Sequence, residues 1–294
     1  MQKLTSLFLL LHLCCPGLYS QHVNTLDLLQ PEAAEKEYVA NAFKSSRVIN
    51  GHSMEFIGKN VLDVRILHRM GTIKEGIGNF FGLDQASMRL GLDYGLGRNL
   101  MVGIGRTTTK QDVDGFVKWR VARQSLPGIP FSVVLTAGMS VFTFKNSDPQ
   151  VKMTFATRSG YYSQAIIGRK FTSSFSLQLA PTYLHRDEPG LVNNIYSLGI
   201  GSRMKLTKRT AFVVDYFPIL NRQKDPGAKN ALSLGFDIET GGHVFQLHFS
   251  NATGMNERAF IANTTESWSK GEIRFGFNLS RVFSTTNKDI SKPR

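Results

Sequence analysis

The chain has 294 residues, a formal net charge of +13, 41% hydrophobic and 19% charged residues, and a mean hydropathy of −0.14. That length fits one large domain or two small ones, and after the first twenty residues no stretch approaches the 18 or so apolar residues of a spanning helix, which excludes helical membrane spans. So basic a chain ordinarily points to nucleic acid, but an export signal argues against that partner. Anionic lipopolysaccharide or anionic solutes suit the charge better, and many of the bases are expected to be solvated in loops.

Residues 1–20 read as a signal peptide. Lys3 supplies the basic end, Leu4 to Leu13 the apolar stretch, and Pro16, Gly17 and Ser20 the cleavage zone, although Leu18 is large for its place before the cut. A lipoprotein reading would acylate Cys14 or Cys15, but Leu11, His12 and Leu13 are not the small residues that signal needs. These are the only cysteines, so the processed chain has no disulfide and no thiolate ligand. The histidines are scattered without metal-ligand spacing, and no cofactor or metal is expected.

Residues 21–58 precede the patterned region. Leu26 to Phe43 is weakly helical, with Leu28, Leu29, Ala33, Val39 and Phe43 unevenly spaced, and Lys44–His52 is basic and polar. One reading makes this segment a plug inside a lumen, where Lys44 and Arg47 meet inward acids. The other makes it a periplasmic leader packed at a barrel mouth.

From residue 59 to 283, alternation of period two recurs in segments of about ten residues. The first sets Leu62, Val64 and Ile66 against Asp63 and Arg65; the second, Met88, Leu90, Leu92 and Tyr94 against Arg89, Gly91 and Asp93. The third sets Leu100, Val102 and Ile104 against Met101, Gly103 and Gly105, and the fourth Val117, Trp119 and Val121 against Lys118 and Arg120. The fifth sets Val133, Leu135, Ala137 and Met139 against Ser132, Thr136, Gly138 and Ser140. The sixth, within residues 151–168, is ambiguous in phase. The seventh sets Phe175, Leu177, Leu179 and Tyr183 against Ser176, Gln178 and Thr182, with Pro181 taken as lying near its end. The eighth to twelfth continue the pattern, with Arg203, Asp215, Asp237, His248, Ser250, Glu272 and Arg274 on the polar phase. This predicts an all-β fold, an antiparallel transmembrane β-barrel of about 12 strands.

The connections supply a second signal. Long polar ones at Gly71–Gln85, Thr107–Gly115, Asn146–Gln150, His185–Asn194, Asn221–Asn230 and Ser250–Lys270 alternate with tight ones at Gly95–Arg98, Gly168–Thr172, Leu206–Thr210 and Glu239–Gly242. Outer-membrane barrels have long extracellular loops and short periplasmic turns, whereas a soluble sandwich predicts no such alternation. An Arg facing lipid at mid-bilayer would cost about 2–4 kcal/mol, and the strand arginines all fall on the polar phase. The 27 glycines and 21 phenylalanines suit barrel walls and aromatic girdles.

The run Phe43-Lys-Ser-Ser-Arg-Val-Ile-Asn-Gly-His-Ser53, leading into Gly58-Lys-Asn-Val-Leu-Asp-Val-Arg65, is distinctive. With His68-Arg69, Asn79-Phe-Phe-Gly-Leu-Asp84, Met88-Arg-Leu-Gly-Leu-Asp-Tyr-Gly95 and Arg274-Phe-Gly-Phe-Asn-Leu-Ser-Arg-Val-Phe283, it resembles a family of outer-membrane β-barrel proteins of unknown function widespread in Bacteroidota. The resemblance implies fold and location and carries over no site residues. The last strand also looks like the signal read by barrel-assembly machinery, although a basic tail, residues 284–294, follows it.

The expected lumen-lining charges are Asp63, Arg65, Arg89, Asp93, Lys118, Arg120, Arg203, Asp215, Asp237, Glu272 and Arg274. They could form an anion-selecting eyelet or an ion-paired filling of a narrow barrel, which the balanced signs favour. One motif could be catalytic. His248-Phe-Ser-Asn-Ala252 is similar to a segment of outer-membrane lipid A deacylases, in which a His activates a Ser nucleophile, here His248 and Ser250. Their phase is lumenal, however, and the acid expected by analogy falls on Ala262, with Glu257 and Glu266 off-register. His68 sits on the apolar phase, as an interfacial residue would.

The sequence therefore leads to a barrel exported to the cell outer membrane. Its expected partners are outer-membrane lipid and lipopolysaccharide, with the assembly machinery during biogenesis. The leading functional expectation is a passive channel or carrier for small, possibly anionic, solutes. The alternatives are a structural or binding protein with a filled lumen and, third, a lipid hydrolase using His248 and Ser250.

Overall fold

The computed structural model describes residues 36–145, 153–188, 190–221, 227–240 and 243–285. The signal-peptide reading, residues 21–35 and the tail from 286 lie outside the described residues. Twelve antiparallel strands close into one barrel. In chain order they are β1 (Val61–Thr72), β2 (Ala86–Gly95), β3 (Leu100–Thr107), β4 (Asp112–Ala122), β5 (Ser132–Phe142) and β6 (Ser159–Lys170). The second half holds β7 (Phe175–Arg186), β8 (Asn194–Lys205), β9 (Thr210–Phe217), β10 (Ala231–Thr240), β11 (His243–Ser250) and β12 (Arg274–Ser284).

Every strand pairs with its sequence neighbour, and β12 closes on β1 in a register running from Arg274↔Thr72 to Ser284↔Val61. An up-and-down barrel of this kind leaves no free edge, so every ladder hydrogen bond is made within the wall. Because the strands alternate in direction, one end holds the tight turns together with the longer connection 123–131, and the other the long connections together with the short 108–111. No described helix is long and apolar enough to cross a membrane.

The phase follows the period-two reading. In β1, Asp63, Arg65, Leu67 and Arg69 are buried, while the residues between them are partly exposed. Outward aromatics meet across strands: His68 stacks on Phe277 at 4.9 Å, and Tyr183–Tyr196, Phe212–Phe236 and Phe249–Phe275 lie 5.5–5.6 Å apart. Such cross-strand pairs stabilise sheets. In β6 the phase is now resolved: Tyr162, Gln164 and Ile166 point inward, Tyr161, Ser163, Ala165 and Ile167 outward. Both faces mix polar and apolar residues, which is why the pattern alone did not decide it.

Two local expectations are corrected. Pro181 is not near a strand end; it sits in the middle of β7, opposite Leu198 of β8. The β6–β7 pairing passes from Gln164↔Thr182 directly to Ile167↔Leu179, so the ladder lapses where the proline has no N–H to give. The second loop-end connection is also shorter than read, because β4 already starts at Asp112.

The lumen is a packed interior. Inward glycines make room for its large side chains: a Cβ on Gly105 would collide with the Arg89 guanidinium. Several inward positions are apolar. Met101, Phe116, Tyr162, Leu184, Ile195 and Phe217 form one cluster with Phe260, Ile261 and Ala262. Val134, Ile166 and Ala180 form another with Phe43, Val48 and Met54. The non-strand members of the two clusters come from opposite ends of the chain.

Candidate functional site

The first inserted segment is a hairpin spanning residues 45–53. Val48 N–H donates to the Gly51 carbonyl at 2.8 Å, Ser53 N–H to the Ser46 carbonyl at 3.0 Å, and Arg47 bridges to His52. Ser46 through Met54 are all buried. The polarity of this run, which offers little for a core, is spent on the wall.

The hairpin tip holds an acid of the wall. The consecutive N–H groups of Ile49, Asn50 and Gly51 donate to one oxygen of the Asp215 carboxylate at 3.3, 2.7 and 2.9 Å. Successive amides converging on one oxygen form a nest that suits an anion. Gly51 is required by close approach, since a Cβ there would lie 2.5 Å from the Phe217 ring.

Further along, Gln246 and Asn278 donate to the Val48 and Ile49 carbonyls at 2.6 and 3.1 Å. Gln178 receives Met54 N–H and gives to the His52 carbonyl. The Lys118 ammonium donates to the Ser46 and Glu55 carbonyls at 3.2 and 2.6 Å. Arg65 reaches Ser45 and Ser46. Lys44 pairs with Glu239 at 2.8 Å near the turn end.

The second inserted segment comes from the β11–β12 connection. Residues 254–262 are buried apart from Ala259, and Arg258–Ala262 makes one π-helical turn. Phe260 meets Phe217 edge-on with centroids 4.8 Å apart. The Arg258 guanidinium lies 3.8 Å over the Phe142 ring and pairs with Glu188 at 2.8 Å.

The two segments meet inside the barrel. Arg47 Nη1 lies 2.9 Å from Glu257 Oε1, with both side chains at most 2% exposed. His52 Nε2 is 3.3 Å from the same oxygen and 3.0 Å from the Tyr162 hydroxyl. Burial, helped by Arg47 and Lys118, holds the His52 imidazole well below its ordinary range, so it is neutral and His52 contributes a hydrogen bond rather than a charge. Around this junction, Arg89 grips Asp114 through two nitrogens, and Asn256 donates to Asp112 at 2.7 Å. Breaking one partner of such a buried pair typically costs about 3–5 kcal/mol, because the other charge is left stranded.

The expected lumenal charges divide. Asp63, Arg65, Arg89, Asp93, Lys118, Arg203, Asp215 and Asp237 are buried and inward. Arg120 and Arg274 are half-buried at the two rims, Arg120 over the Phe56 ring at 4.2 Å and Arg274 against Glu266. Glu272 is not a lumen residue. It precedes β12, accepts from Ser267 N–H and pairs with Lys74 at 3.0 Å, contacts that pull its carboxyl below the usual range.

Buried charges the reading missed are Arg69, Asp112, Asp114, Arg186, Glu257 and Arg258. Asp112 and Asp114 shared the phase of Lys118 and would have been found had the strand been extended backward. Nothing periodic marks Glu257.

His248 and Ser250 share the inward face as expected, but they do not form a nucleophile–base pair. The Ser250 hydroxyl accepts from Ser233 Oγ at 2.7 Å and from Ala252 N–H at 3.0 Å. Both ring nitrogens of His248 are buried without a hydrogen-bond partner. Glu257 and Glu266 are engaged with Arg47 and Arg274. Among the described residues, no cluster of three or more His, Cys, Asp or Glu could hold a metal ion.

The sequence profile of a family described as a membrane-bound beta barrel domain (DUF5777) matches residues 43–283, the hairpin together with all but the last residue of the barrel. The chain belongs to this family. The matched span of the family thus begins inside the lumen, not at the wall. No curated protein matches the chain. Among solved structures, the NanC porin resembles it at 11% identity and a TM-score of 0.47, covering 76% of this chain and all of that one. Omp33 of Acinetobacter baumannii is similar at 8% identity and 0.43, covering 76% and 99%. LpxR from Salmonella typhimurium is similar at 10% identity and 0.35, covering 76% and 99%.

Proposed function

We propose that this is an outer-membrane barrel that works with its lumen closed by its own chain, as a structural or binding protein of the envelope and not as an open pore. The observation that carries this is the junction of the two inserted segments at Arg47 and Glu257, both buried in the barrel interior. In this reading residues 21–58 include a plug, and the mixed-sign lumenal charges are a paired filling that locks it in place. The outer membrane is the location that best suits a membrane-bound barrel with alternating long and short connections and a leader-like start.

A second reading, a channel for small solutes, is favoured by one feature. The wall behind the hairpin is lined by Asp215, Gln178, Gln246, Asn278, Arg65 and Lys118, so withdrawing the hairpin would leave a wettable lumen. Planar-bilayer conductance separates the two, with folding of each protein verified by heat-shifted gel mobility. The intact protein is expected to be silent and a version beginning at Lys59 to conduct. Steady current from the intact protein would replace the closed-barrel reading with an open channel.

A further inference from the structure

At the turn end, beside the stem of the hairpin, a recess of about 640 Å³ opens between the hairpin stem and the ends of β3 and β4. Five cationic side chains line it, Lys36, Lys59, Arg98, Arg120 and Arg123, against the single carboxylate of Glu55. Glu55 is already engaged, because its Oε1 accepts from the N–H groups of Ala42 and Phe43 at 2.6 and 3.4 Å. None of the five bases makes an ion pair among the described residues.

Aromatic faces and backbone hold three of these bases, Arg120, Arg123 and Lys36, in place of carboxylates. The Arg120 guanidinium lies 4.2 Å over Phe56 and donates to the Arg98 carbonyl at 3.3 Å. Tyr38 takes the Arg123 guanidinium at 5.1 Å and the Lys36 ammonium at 5.5 Å. Tyr38 is itself fixed by a two-residue ladder in which Glu37 and Tyr38 pair with Leu126 and Ser125. A guanidinium stacked on a ring keeps its N–H edge free, and that edge matches the forked geometry of a phosphate. Val121, on the lipid-facing phase of β4, lines the same recess.

We infer that this recess is a binding site for a phosphate group, gripped by Arg120 and Arg123 with Lys36 and Lys59 supplying further positive charge. Two sources share that chemistry: the headgroup of an anionic phospholipid in the adjoining leaflet, and a soluble phosphate compound. The site does not depend on whether the lumen conducts.

The test is calorimetric titration of the intact, detergent-solubilised protein with inorganic phosphate, short-chain phosphatidylglycerol and, as the control, short-chain phosphatidylcholine. Saturable binding is expected that weakens by about tenfold or more in the Arg120→Gln/Arg123→Gln variant. Binding is expected to be unchanged in Lys205→Gln, an exposed base at the same end but outside the recess. Heat-shifted mobility checks that each variant is folded. Phosphate binding as tightly as phosphatidylglycerol would identify a soluble ligand, and binding of phosphatidylglycerol alone a headgroup; both support the site. No saturable binding of either, equal binding of phosphatidylcholine, or full affinity in the folded double variant would overturn it.

Discussion

The two segments that fill the barrel are held by different physics. The hairpin at residues 45–53 is polar and is tied to the wall by hydrogen bonds: three amides on Asp215, and carbonyls on Gln246, Asn278, Gln178 and Lys118. The β11–β12 segment is apolar at its centre and packs Phe260, Ile261 and Ala262 into a cluster with wall residues Leu184, Ile195 and Phe217. Burial of apolar surface stabilises in proportion to area, whereas hydrogen bonds to the wall exchange for hydrogen bonds to water at small net gain. The hairpin, whose apolar contribution is limited to Val48 and Ile49, is therefore expected to release before the β11–β12 segment, which is part of the core.

That contrast can be broken at several points. The largest effect is expected from removing residues 41–57, which should open conductance while the barrel still shifts on heating; a silent, folded barrel would mean the β11–β12 segment seals the lumen alone. Next, Phe260→Ala should destabilise the whole barrel by about 3–5 kcal/mol, read as the denaturant midpoint in detergent, without exposing the hairpin first. Arg47→Met should release the hairpin selectively, at a cost of about 3–5 kcal/mol. Adding Glu257→Leu should restore much of the loss, because the stranded carboxylate is then gone. Protease sensitivity of the hairpin reports this pair.

A smaller effect, about 1–3 kcal/mol, is expected for Asp215→Ala, which leaves the three tip amides without their acceptor. Hydrogen exchange at Asn50 and Gly51 should rise in that variant ahead of exchange in the strands. The smallest effect is a pH dependence. His52 is held neutral by burial and by Arg47, Lys118, Arg89 and Arg65, with Glu257 and Tyr162 against its ring. Above pH ~6.5 the seated and released imidazoles are both neutral and nothing changes. As pH falls below that value, only the released hairpin takes up the proton, so seating should weaken with acidification. The His52→Gln variant should lack that slope in the same protease assay.

The barrel was legible because lipid and a packed lumen impose opposite demands on alternate residues, as Leu62, Val64 and Ile66 against Asp63 and Arg65 display. Legibility failed where that contrast fades. In β6 the outward face carries Ser163 and Ala165 and the inward face Ile166. Pro181 looked like a terminator because a missing N–H is usually tolerated only at an edge, yet here the β6–β7 ladder simply lapses beside it.

Lumenal charges in the middle of strands could be read, whereas Arg69, Asp112, Asp114 and Arg186 near strand ends were missed. Glu257 and Arg258 could not be read, because a loop that folds inward has no periodicity to announce it. Lys44 and Arg47 were foreseeable as bases seeking acids. Lys44 finds Glu239 at the end of a strand, but the partner of Arg47 comes from the loop rather than the wall.

The most direct test of the closed lumen is the accessibility of the hairpin tip. A single thiol placed by Ile49→Cys, in a background without Cys14 and Cys15, can be challenged with a membrane-impermeant maleimide in the folded, reconstituted protein. Ile49 is fully buried, so the thiol is expected to stay unmodified until denaturant releases the hairpin. Rapid labelling of the folded barrel would show a tip open to solvent and would contradict the account.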